Sequence, residues 1–156
     1  MDVAKKLWIN FHDLIANYEK VVGYACKKSD SFAVISNMEK PCANQPLRFE
    51  HNQVMEDLGP FLERHIEGIR KWPGTCTRDH RKIMLVYRSC KQSRQILQKM
   101  PNFFLPEDYE LPEDLCFYRN GSHWFATISH EETAFLTGAT AEDLAFFKEN
   151  GIRMYD

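Results

Sequence analysis

The stretch LPEDLCFYRNGSHWFATISHE, residues 111–131, gathers the side chains of this chain best able to do chemistry. It carries Glu113 and Asp114 near its start and ends on His130-Glu131. A histidine titrates at about 6.5, so it can take or release a proton near neutral pH. A carboxylate beside it could orient it for that work. His130, Glu131, Glu113 and Asp114 are therefore the candidate catalytic residues. Their spacing argues for restraint. If the strand before His130 runs on without a bulge, His130 falls on the same side as Trp124 and Ile128, and Glu131 points the other way. The expectation is a structural pair: His130 largely buried and hydrogen-bonded to backbone or a nearby acid, Glu131 outward. Ser129 diverges from His130 by the same parity, so the two do not form a nucleophile–base pair.

Other chemistries find little support. His51, His65 and His80 have no partner four residues on, which excludes an HExxH zinc site. Glu63 and Glu67 in ERHIE flank Arg64 and read as an exposed charged face. There is no Walker A loop, no GxGxxG and no GxSxG. Acids of the 107–114 region could bind a cation through oxygens, but the prolines and the missing EF-hand pattern favour a solvated loop. No cofactor and no metal are expected. Trp72, Trp124 and Phe103-Phe104 could anchor a partner or fill a core.

The elements that must position these residues follow from periodicity. Val3, Leu7, Phe11, Leu14, Tyr18, Val21, Val22 and Ala25 step in threes and fours, predicting a helix over 3–25. SFAVIS (31–36) reads as a strand or buried segment, and NMEKPCANQP as a loop. Residues 51–71 read as a second helical region, interrupted at Gly59-Pro60 and closed by the WPGT turn at 72–75. KIMLVY (82–87) is a strand and residues 91–100 a short helix. Leu-Pro-Glu-Asp occurs at 105–108 and again at 111–114, predicting extended or turn backbone. Asn120-Gly121 predicts a two-residue type I′ hairpin turn. Its register would pair Phe117 with Trp124 and put Leu115, Phe117, Trp124, Ala126 and Ile128 on one core face. ETAFL (132–136) suggests another strand. Thr140 caps a helix with Asp143 in capping-box position, Asn150-Gly151 ends it, and IRMY is a final strand.

The whole is one α+β domain over 1–156, with N-terminal helices packed on a small mixed, mainly antiparallel sheet with a C-terminal β-hairpin and helix. The chain has 156 residues, 44% of them hydrophobic and 13% aromatic, enough for a core. A net charge of -2 excludes the basic footprint of a nucleic-acid binder. No apolar run approaches the ~18 residues of a membrane helix. The N-terminal segment carries charges where a signal peptide would be apolar, so a cytoplasmic protein is expected. Cysteines at 26, 42, 76, 90 and 116 are odd in number and widely spaced, and read as free thiols.

Trp72 to Thr75, Tyr87, Pro112 to Phe117, Arg119, Asn120-Gly121, Trp124, Ile128 and His130-Glu131 together resemble a family of small bacterial proteins. That family shares a WPGT motif, a tyrosine-bearing strand and a PEDL-C-F-x-R-x-(D/N)-G-x-x-W-x-x-x-I-x-H-E block. Some members carry a sporulation-protein label. The resemblance covers the second half of the chain. It implies a bacterial cytoplasmic protein whose shared framework is the hairpin and the WPGT turn. With no catalytic constellation, the expected function is a non-enzymatic protein-binding module, of immunity or accessory type, with a protein partner and neither nucleic acid nor membrane. The alternative is a small hydrolase-like enzyme using His130, Glu131 and an acid from 113–114.

Overall fold

A computed structural model describes residues 5–37, 53–100, 104 and 112–156. Its strands are β1 (Lys6–Ile9), β2 (Ser31–Asn37), β3 (Leu62–Ile69), β4 (Lys71–Trp72), β5 (Thr75–Cys76), β6 (Lys82–Arg88), β7 (Glu113–Arg119), β8 (Ser122–Ile128), β9 (Thr133–Thr137) and β10 (Met154–Tyr155). The helices are α1 (Phe11–Ala16), α2 (Tyr18–Lys27), α3 (Gln53–Leu58), α4 (Lys91–Gln98) and α5 (Ala141–Glu149). Eight strands form one antiparallel sheet in the order β10-β1-β9-β8-β7-β2-β6-β3, and β4 and β5 form a separate hairpin. The α+β expectation holds, with a sheet larger than expected and antiparallel, rather than mixed, at every described strand pair. Among the described residues no helix is long and apolar enough to cross a membrane.

Strand alternation divides the sheet into two apolar faces. Phe32, Val34, Leu85, Tyr87, Leu115 and Phe117 join Leu14, Val21, Val22, Leu97 and Phe147 of the helices in the main core. The intervening residues point the other way. Ala33, Ile35, Met84 and Val86 pack with Trp72, and Cys116, Ala126, Ile128 and Phe135 form a neighbouring cluster. The helices thus cover one face and the WPGT hairpin lies against the other. Gly74, at φ +84, sits so close that an added Cβ would lie 2.6 Å from the Ile128 Cδ1. Only glycine fits there without displacing a core side chain.

Three expectations are corrected. Residues 6–9 are a strand, not the start of a long helix. Lys6–Ile9 pairs with β9 on one side and β10 on the other, and Asn10 caps the true helix by accepting the Asp13 N–H at 3.0 Å. Residues 62–69 are a strand as well. Pro60 lies in a short 3₁₀ turn, Gly59–Phe61, and the chain leaves it extended to pair with β6. Leu62 and Ile66, four apart, satisfy a period of two as well as a helix does. Third, the hairpin register shifts. Asn120 and Gly121 have the expected positive φ, 52 and 77, and Tyr118 pairs with His123, but Phe117 pairs with Phe125. Trp124 is the extra residue of a β-bulge. Trp124 and Phe125 both enter the main core, and Ala126 and Ile128 pass to the opposite face. Trp124 is buried as expected, donating from Nε1 to the Ser29 Oγ at 2.8 Å.

The C-terminal helix follows its signals. Asp143 N donates to the Thr140 Oγ1 at 3.1 Å, and Thr140 N to the Asp143 Oδ2 at 2.8 Å. The first Leu-Pro-Glu-Asp copy, Phe103, His51 and Cys42 lie outside the described residues.

Candidate functional site

Glu113 and Asp114 open β7, where regular strand geometry would send consecutive side chains to opposite faces. Asp114 has φ +57, a left-handed conformation that a non-glycine residue adopts at a cost. It lies in a bulge, since Ala33 pairs with Cys116 but Ile35 pairs with Glu113. The irregularity brings both carboxylates to the same region. A second break lies at the end of β8. Ser129–Glu131 is a 3₁₀ turn closed by Glu132 at φ +53. Strand parity therefore does not reach His130.

The two breaks meet. Ligand atoms of Glu113, Asp114 and His130 all lie within 4.8 Å of one another. His130 Nε2 is 3.8 Å from the Glu131 Oε1, with both side chains more than half exposed, at 57% and 59%. The expectation of a buried His130 is thus overturned: the 3₁₀ turn lifts it out of the sheet. Glu131 stays outward, as expected. Asp114 is the buried member, at 2% exposure, and belongs to no solvated loop.

Asp114 is fixed from three directions. Its Oδ2 accepts the Trp72 Nε1–H at 2.8 Å, and its Oδ1 accepts the Ser129 N–H at 2.8 Å. Its own N–H donates to the Ser129 Oγ at 3.1 Å. The WPGT hairpin, β7 and the 3₁₀ turn are thus tied through one carboxylate. Burial pushes the Asp114 carboxyl above its ordinary value, against the hydrogen bonds from Trp72 and Ser129. The Glu113 charge adds to the rise and His130 opposes it. Glu113 also pairs with the Lys82 ammonium, 3.2 Å from its Oε1, and that ammonium donates to the Asn37 Oδ1 at 2.7 Å.

Two chemistries are open to such a group. The imidazole of His130, exposed beside carboxylates, can accept a proton from a bound water or hydroxyl. The three residues could also hold a divalent cation through oxygen and nitrogen donors. Competing partners already engage much of that donor set, because both Asp114 oxygens and one Glu113 oxygen accept hydrogen bonds.

All four residues named from sequence lie at this place. Sequence reasoning missed Trp72, Ser129 and Lys82 as their partners. Trp72 and Ser129 carried no pairing signal, because they contact Asp114 across 42 and 15 residues of chain. The remaining cysteines do not converge with the group: Cys26 and Cys116 are buried, Cys90 half-buried and Cys76 exposed, all as free thiols. Glu63 and Glu67, expected on a helix, stand exposed on β3. No protein-family model matches the chain, and no curated protein and no solved structure is significantly similar to it.

Proposed function

We propose that this protein is a protein-binding module that takes an extended segment of its partner onto the outer edge of β3 at Leu62 to Glu67, which no strand among the described residues pairs. The observation that carries this reading is the position and exposure of that strand. β3 is the last strand of the sheet order, and six of its eight residues, Leu62 to Glu67, are exposed. An edge strand presents unpaired N–H and C=O groups, and an added strand gains affinity from main-chain bonds and specificity from side chains. Leu62 and Ile66 are among the most exposed large apolar residues of the described chain, at 39% and 38%. Glu63, Arg64, His65 and Glu67 surround them with mixed charge, and register shifts interrupt the ladder to β6 twice. Such devices suppress indiscriminate edge pairing, as a selective binder requires. The free thiols and the motif resemblance support a bacterial cytoplasmic setting and an immunity or accessory role.

The test is capture from the host cytoplasm with the wild type and with Leu62→Lys/Ile66→Lys. The double variant should keep the wild-type melting temperature and lose a saturable protein partner. Retention of the partner by the double variant, or the lack of any saturable partner, overturns the reading.

A second reading is a hydrolase-like enzyme, and the convergence of Glu113, Asp114 and His130 favours it. There, His130 would activate water and Asp114 would hold the turn that carries it. His130→Ala should then abolish hydrolysis of an ester or phosphoester probe with no change in melting temperature. Equal turnover by the variant, or no turnover by the wild type, removes this reading.

A further inference from the structure

The WPGT hairpin and the sheet face beneath it share an open cavity of about 900 Å³, a size typical of small-molecule sites. Trp72, Met84 and Tyr118 give it apolar and aromatic lining. Lys6 and Lys71 also line it, and among the described residues no aspartate or glutamate does. Neither lysine is ion-paired among the described residues; the Lys6 ammonium instead stands 4.6 Å from the centre of the Phe135 ring. Burial, helped by Lys6, holds the His123 imidazole of this cavity below its ordinary value.

Two ammonium groups without an ion-pair partner among the described residues, beside an aromatic lining, describe a receptor for a flat group that carries negative charge.

We propose that this cavity binds a small organic anion, a carboxylate on a flat aromatic body. Lys6 and Lys71 supply the charge and donate to the carboxylate oxygens, and the ring lies against Trp72 and Tyr118. The site is separate from the β3 edge, so it stands whether or not the partner reading does.

The probe is 2-naphthoate, titrated calorimetrically into the full chain, with the neutral 2-naphthylmethanol as its matched control. Saturable one-to-one binding of the naphthoate is expected, with the alcohol about tenfold weaker or more, the loss of a charge-assisted contact. Lys6→Met and Lys71→Met should each weaken the naphthoate about fivefold to tenfold and leave the alcohol unchanged. Equal binding of acid and alcohol, no saturable binding of the naphthoate at about 1 mM, a millimolar contact being worth ~4 kcal/mol, or wild-type affinity in both lysine variants overturns the proposal.

Discussion

Replacing Asp114 tests how the centre of the candidate site is held. Asp114→Ala removes the acceptor for two buried donors, the Trp72 Nε1–H and the Ser129 N–H, both 2.8 Å away. Leaving a buried donor unpaired costs ~1–3 kcal/mol. An alanine must also adopt φ +57, which costs roughly 1–2 kcal/mol more than a residue suited to that region. Relief acts in the other direction, because burial raises the Asp114 carboxyl and its ionised form is a burden to the fold near neutral pH. The balance is a loss of ~2–6 kcal/mol, which lowers the melting temperature by about 5–20 °C in a chain of this size. Asp114→Asn keeps one acceptor oxygen and suits the left-handed backbone, so it should lose only ~1–3 kcal/mol. Asp114→Gly removes both acceptors without the strain and should fall between them. Urea unfolding at neutral pH, followed by circular dichroism, gives the order. The raised carboxyl adds a pH signature. Between the ordinary carboxylate value and the raised one, the native state binds more protons than the unfolded chain, so stability falls as pH rises through that window. Asp114→Asn should lack this slope. An Asp114→Ala protein within about 1 kcal/mol of wild type would refute the reasoning, since one unpaired donor alone costs that much.

Gly74→Ala should cost ~2–4 kcal/mol, because it forces a side chain into φ +84 and against the Ile128 and Phe135 side chains; thermal melting checks it, and a shift below about 2 °C contradicts the close packing of the hairpin. Denatured, unreduced protein should titrate five free thiols, whereas in the native state the buried Cys26 and Cys116, each pushed up to about 12 by burial, should resist iodoacetamide while the exposed Cys76 is alkylated; peptide mapping by mass spectrometry reads the pattern. Burial opposes ionisation of Asp143, but hydrogen bonds from Arg119, Thr140 and Tyr24 outweigh it and hold its carboxyl below the ordinary value. Its stabilisation is therefore full above the ordinary carboxylate value and lost as pH falls through the lowered one, so the gap in unfolding free energy between wild type and Asp143→Asn should narrow on acidification below about pH 4.

Signals confined to a few neighbouring residues were legible in the sequence. Asn120-Gly121 demanded positive φ at both positions, and Thr140 with Asp143 formed a complete cap; each needs only the local chain. Signals that depend on pairing were not. Leu7, Trp8 and Phe11 fit a helical period as well as a strand followed by a turn, and only the strands on either side of Lys6–Ile9 decide between them. The bulge at Trp124 is a single residue that no local pattern marks, yet it moves Ala126 and Ile128 to the opposite face. The same physics governs the site. Parity argued that His130 and Glu131 diverge. That argument holds only in regular strand, and this dipeptide, like Glu113-Asp114, stands where the strand breaks. Asp114 is kept in its strained conformation because Trp72 and Ser129 hold the carboxylate from two other elements. A left-handed, buried acid is a costly feature to maintain for packing alone, since a glycine would satisfy the backbone at that position. Its carboxylate also ties the 3₁₀ turn bearing His130 to the WPGT hairpin, and Trp72 of that hairpin lines the cavity as well.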